Sequence, residues 1–220
     1  MKNGLALFLG VFATLAISWA GLLLAAHRQI GSLGQFKDPI EESLNPLPLS
    51  GLADQGRLVY QDLGCVTCHT QQVRHLEADL KRTWGERGSY ARDYIRDESV
   101  LIGQRRLGPD LRNAGNVELH PYADADFFYR LLYAPQSMAP GTNMPGHSFL
   151  FEVHRVAGRQ PSAEAIKLPS KYAPAAGSEV VPTYRAQALV AYLLSLKDTY
   201  DYPIERSRNA PAAKPKEGGH

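Results

Sequence analysis

The chain has 220 residues, 44% of them hydrophobic and 21% charged, with a formal net charge of +2. That balance describes an ordinary globular protein and excludes the basic excess of a nucleic-acid binder. Only two cysteines are present, five residues end to end with a histidine in Cys65-Val66-Thr67-Cys68-His69.

The first element in chain order runs from Gly4 to Ala26 without a charged residue, long enough to cross a membrane as a helix. Lys2 precedes it, and His27 and Arg28 follow. A cleaved signal peptide is the competing reading, with Ser18-Trp19-Ala20 as a small-residue cleavage site. The apolar run continues through Gly21-Leu22-Leu23-Leu24, beyond the usual length of a signal core, so the segment is read as a retained anchor, residues 1–30. Residues 31–51 carry Gly, Ser and Pro at short intervals, including Asn45-Pro46-Leu47-Pro48, and read as a linker.

A helix is expected from Asp54 to Leu63, capped by Asp54 and closed by Gly64. It delivers the chain to Cys65. Two cysteines spaced for the two vinyl groups of one haem, followed at once by a histidine for the iron, form the attachment pattern of a c-type cytochrome. A zinc site using Cys65, Cys68, His69 and His75 lacks the usual paired-ligand spacing. A thioredoxin-like redox pair lacks its βαβ context. The cofactor is therefore read as one covalently bound haem c, with His69 as an iron ligand.

The second axial ligand needs a free lone pair, and a thioether favours reduced iron. Besides Met1, the chain offers Met138 and Met144. Met144 is preferred because Pro145 stiffens its loop, with Met138 and His147 as alternatives. An iron bound by two protein side chains has no open position for substrate, so the polypeptide is read as an electron carrier without a catalytic centre of its own.

The last helix is expected from Thr183 to Lys197, with Ala188, Leu189, Tyr192, Leu193 and Leu196 on its apolar face. Residues 152–181 form a surface excursion before it, and residues 200–220 read as a mobile tail rich in Pro, Ala, Lys and Gly. A short helix before the haem motif and an apolar helix near the end resemble the class I cytochrome c fold. There the two helices cross through a glycine and aromatics, matched here by Gly56, Tyr60 and Tyr192. The fold class is thus mainly α: one transmembrane helix, then a class I cytochrome c domain with long loops over 52–199. By the same resemblance, Pro109 in Gly108-Pro109-Asp110-Leu111 packs on the His69 ring and offers it a carbonyl.

Several ordered motifs carry a closer likeness. Gly56-Arg57-Leu58-Val59-Tyr60, the stretch from Gly64 to Arg74, Trp84-Gly85, Gln104-Arg105-Arg106, Pro135-Gln136-Ser137 and Asn143-Met144-Pro145-Gly146 together resemble the monohaem subunit II of cbb3-type cytochrome c oxidases. The likeness departs at His75, where the family has proline, and in the long 152–181 stretch. The resemblance implies a single-pass protein of the bacterial inner membrane whose haem domain faces the periplasm. It implies electron transfer from a donor cytochrome or quinol-oxidising complex to a haem–copper catalytic subunit. Arg74 and one of Arg105 and Arg106 are expected to pair with haem propionates, the alternative being an ordinary solvated face among Glu77, Asp79, Glu86 and Asp93. A free-standing membrane-anchored shuttle, a subunit of another respiratory complex, and a haem sensor or peroxidase with a labile Met144 are the competing functions.

Overall fold

The computed structural model describes residues 3–156, 158 and 160–205. The chain is mostly helical with little sheet and divides into two compact units, one of residues 3–47, 90–98 and 202–205, the other of Pro48–Ser89 and Ser99–Asp201.

The first unit begins with an unbroken 27-residue apolar helix, Gly4–Ile30. It consists of α1 (Gly4–Trp19), a π-helical turn at Ala20–Leu24 and α2 (Ala25–Ile30). At 1.5 Å per residue it spans about 40 Å, enough to cross a bilayer, and its side chains are exposed. The linker is less irregular than its composition suggests. β1 (Phe36–Lys37) pairs antiparallel with β2 (Leu44–Asn45), and Asp38 accepts the amides of Ile40 and Glu41 in the turn between them. Phe36 packs edge-on against Tyr202, as does Tyr90, and Tyr202 is fully buried. Arg92 pairs with Glu205 at 2.5 Å and lies over the Tyr202 ring. Residues up to Glu205 are therefore packed where the sequence reads as tail, because Tyr202 supplies an aromatic anchor; the tail expected over 206–220 lies outside the described residues.

The second unit is organised by two crossing helices, α3 (Gly51–Asp62) and the helix near its end. The start of α3 lies three residues earlier than expected, and Ser50 is its cap, accepting the Ala53 amide at 3.3 Å. Asp54 instead sits in the first turn and binds Arg57 at 3.0 Å. Gly64, at φ +68°, ends the segment in the left-handed region that glycine enters without strain. Three short helices follow, α4 (Glu77–Lys81), α5 (Ala125–Tyr133) and α6 (Pro135–Met138).

Sequence patterning missed a hairpin in the 152–181 excursion. β3 (Phe151–Arg155) pairs antiparallel with β4 (Ser178–Pro182), Phe151 opposite Pro182 and Val153 opposite Val180. The long connection between the strands returns to this sheet where the Ile166 amide donates to Val180, and Ile166 is buried. The sheet leads directly into α7 (Tyr184–Ser195), whose cap Thr183 accepts the Ala186 amide and donates its hydroxyl to Leu150. Buried Leu189, Val190, Tyr192 and Leu193 of α7 join Tyr60, Phe128, Leu132 and Leu150 in one core.

The α3–α7 crossing passes through Gly56. A Cβ there would lie 1.9 Å from the Ala188 carbonyl oxygen, while Tyr60 meets Tyr192 edge-on at 5.4 Å. Gly56→Ala is expected to destabilise the chain by about 1–3 kcal/mol, since backbone rather than a flexible side chain must yield. Denaturant unfolding of the variant checks this, and an unchanged midpoint would contradict the packing argument.

Candidate haem site

The Cys65-Val66-Thr67 turn is 3-10 helical and follows directly from α3 through Gly64. Its position is fixed because α3 is anchored by the α7 crossing. Cys65 and Cys68 are unpaired thiols, each partly buried. Burial pushes the Cys65 thiol up to about 11, against the pull of its own backbone, with Cys68 adding to the rise. Cys65 is therefore protonated at neutral pH.

His69 closes the motif, and its Nδ1 lies 2.9 Å from the Pro109 carbonyl. A carbonyl only accepts, so Nδ1 carries the proton and Nε2 keeps its lone pair. Burial lowers the His69 pKa, opposed by the Pro109 carbonyl and by Asp110, which favours the neutral ring that binds a metal. Gly108 makes this contact possible: a Cβ there would stand 2.3 Å from His69 Cε1. The structure thus brings His69 and Pro109 together across 40 residues.

Met144 lies in a loop pinned to α5 and α6. The His147 amide donates to Leu132, the Gly141 amide to Gln136 Oε1, and the Gln136 side-chain amide to the Thr142 carbonyl. Met144 itself is half-buried and packs against the core, as do Leu63, Cys65, Val66, Leu101 and Leu111. Gln136 holds this loop, a role that no local pattern in the sequence announced. Met138, at the end of α6, is also half-buried. His147 stacks obliquely with Phe149, and burial lowers its pKa.

The donor set suits a haem: two thiols one turn apart, an imidazole with an oriented free nitrogen, a glycine flat against that ring, and apolar walls that include a thioether. Among the described residues no group of three or more His, Cys, Asp and Glu side chains gathers as a bare-metal cage.

The arginines sort themselves differently. Arg74 and Arg106 both bind Asp79, at 2.8 and 2.7 Å, and the Asp79 side chain is fully buried. Arg74 is about half exposed, Arg106 mostly covered, and Arg105 exposed. The solvated-face alternative fails for two of its members, since Asp79 and Asp93 are buried. Arg74, five residues away, is a local partner of Asp79, but Arg106 is 27 residues away and no local pattern announces it.

The Arg74 guanidinium holds the Asp79 carboxyl well below the usual carboxylate range, with further help from the Arg74 amide and Arg106 against the cost of burial. A depressed folded-state pKa contributes stability above the unfolded value of about 4 and loses it as pH falls toward the folded value. The parent is therefore expected to lose stability below about pH 4 more steeply than Asp79→Asn. Unfolding midpoints measured across the acid range check this; parallel curves would refute it.

A family model described as cytochrome c oxidase, mono-heme subunit/FixO, matches residues 3–168. Comparison with curated proteins returns no match.

Proposed function

From the premise that this chain belongs to the FixO family of cytochrome c oxidase mono-haem subunits, we propose that it carries electrons into the catalytic subunit of a cbb3-type terminal oxidase. The N-terminal apolar helix fits a single-pass anchor, and the partnership with a catalytic oxidase subunit follows from the family. On this reading residues 52–199 form a class I cytochrome c domain, held on the periplasmic side of the bacterial inner membrane. The observation that carries the reading is the His69–Pro109 hydrogen bond beside two unpaired thiols, which leaves one imidazole nitrogen directed by its partner.

A haem bound here supplies a one-electron couple. Cys65 and Cys68 would hold it covalently, and His69 and Met144 would be its axial ligands. The Pro109 carbonyl keeps the His69 proton on Nδ1, which fixes the tautomer and makes the ligand more basic. Met144 packs against the apolar core and is half-buried there. Arg74 and Arg105, whose guanidinium groups reach solvent, are the arginines best placed by exposure to pair with propionates, while Arg106 serves inside the fold. With His69 and Met144 as its ligands the haem would serve electron transfer, oxygen reduction would belong to the partner subunit, and the chain would need no catalytic centre of its own.

The test is gentle purification from native membranes with reduced and carbon-monoxide difference spectra. A large co-purifying subunit with a carbon-monoxide-binding haem and oxygen uptake supports the proposal. A lone c-type haem indifferent to carbon monoxide supports a tethered shuttle and overturns it.

A further inference from the structure

Two irregular segments meet at His69, 68–74 and 105–111, and they are joined by more than backbone hydrogen bonds. The Gly108 amide donates to Cys68 and the Leu111 amide to Thr70, at 2.9 and 2.8 Å. Arg106 then spans both segments. Its Nε donates to Thr70 Oγ1 at 2.9 Å, its Nη2 to the Gln72 carbonyl, and its Nη1 to Asp79 Oδ2 at 2.7 Å. Thr70 passes the connection on by donating its hydroxyl to Asp110 Oδ2, which also accepts the Gln72 amide at 2.8 Å. Asp110 is next to Pro109, and Thr70 is next to His69. The network therefore closes around the two residues that form the His69–Pro109 hydrogen bond.

We infer that Arg106 and Asp79 are positioning residues for the axial histidine: their buried ion pair clamps the two segments together and so sets the strength of the His69–Pro109 hydrogen bond. This rests on the reading of His69 as the iron ligand. Three features make the pair a rigid clamp. Asp79 has no exposed side-chain surface and is held from its other side by the Arg74 amide and by the Arg74 guanidinium through Nε and Nη2. The Arg106 guanidinium uses Nε, Nη1 and Nη2 at once, a geometry that a point-charge ammonium cannot reproduce. Trp84 lies 5.0 Å from the guanidinium carbons of both Arg82 and Arg106, which restricts how Arg106 can rotate.

A hydrogen bond donated from the far nitrogen makes an imidazole ligand more basic, and a more basic ligand favours oxidised iron. Loosening the clamp should therefore raise the midpoint potential. Asp79→Asn also removes a negative charge near the site, which acts in the same direction. Arg106→Lys keeps the charge and loses the fork, so its shift reports the hydrogen bond alone.

The experiment uses the full chain matured with haem in detergent, as parent, Asp79→Asn and Arg106→Lys. It records the midpoint potential and the exchange rate of the His69 Nδ1 proton by NMR. Both variants are expected to show a higher potential, with the larger shift in Asp79→Asn, and His69 proton exchange faster by up to about tenfold, the factor of one net hydrogen bond. Variants that only lower the unfolding midpoint, with potential and exchange at parent values, would leave a merely structural network and overturn the inference. Should Asp79→Asn fail to fold, Arg106→Lys decides on the same two readouts. A parent that carries no covalent haem would instead overturn the functional reading itself, before either variant is compared.

Discussion

If Met144 ligates the proposed haem, replacing it with alanine is expected to let the haem-loaded chain bind carbon monoxide and to lower its midpoint potential. Axial-ligand identity spans roughly 0.8 V among haem proteins, and a thioether lies toward the high end because it favours reduced iron. Alanine has no lone pair to offer, and the 141–147 loop is held by Gln136 and by the His147 amide on Leu132, which limits how far His147, the loop's other candidate donor, can shift to replace the thioether. Met138→Ala is the companion, expected to leave the spectrum and potential near parental values. The measurement is redox titration with optical spectra, with and without carbon monoxide. An unchanged spectrum in Met144→Ala, or the loss transferred to Met138→Ala, would show that the wrong sulfur has been named.

Asp198→Ala is expected to cost about 3–5 kcal/mol of stability, because it breaks the buried ion pair that Asp198 makes with Arg112. The pair is bidentate, with Arg112 Nε at 2.9 Å from Oδ2 and Nη2 at 2.8 Å from Oδ1. Both side chains are nearly buried. The Asp198 amide donates to Asn113 Oδ1, and Asn113 in turn donates to the Trp84 carbonyl. The pair thus ties the chain after α7 to the segment that follows Pro109. Denaturant unfolding should show the loss in Asp198→Ala and a smaller loss in the double variant Arg112→Met, Asp198→Leu, where both charges of the pair are removed together. A loss below about 1 kcal/mol in the single variant would place this pair among ordinary surface bridges.

Much of this was legible in the sequence, and the reason is locality. The apolar N-terminal run and the helices before the cysteines and near residue 190 are written in short patterns with fixed spacing, while the glycine and tyrosines of the helix crossing are legible through the resemblance to class I cytochromes c. What escaped was either a choice between two nearby caps or a contact between partners far apart in the chain. Ser50 rather than Asp54 caps α3 because the helix starts a turn earlier, and both residues are good caps. The hairpin of β3 and β4 escaped because its strands are separated by a long connection, and β3 has mostly exposed residues that give no strong apolar signal. Asp79 reads as one more acidic residue near the short α4, and it is the convergence of Arg74 with the distant Arg106 that makes it a buried hub. Arg112 and Asp198 stand 86 residues apart, with nothing in either neighbourhood to announce the other.

The α3–α7 crossing also dictates an order of events. Gln71 receives the Tyr192 hydroxyl across 121 residues, and Gly56 rests on the backbone of Ala188. A chain emerging from its N-terminal end therefore presents Cys65, Cys68 and His69 long before it delivers the helix that closes the domain over them. Contacts of such separation are slow to form. For that interval the cysteines lie in an unclosed chain, free of the burial that later drives the Cys65 thiol upward. Thiolate chemistry at Cys65 is therefore easiest in the open chain, before burial raises the thiol's pKa.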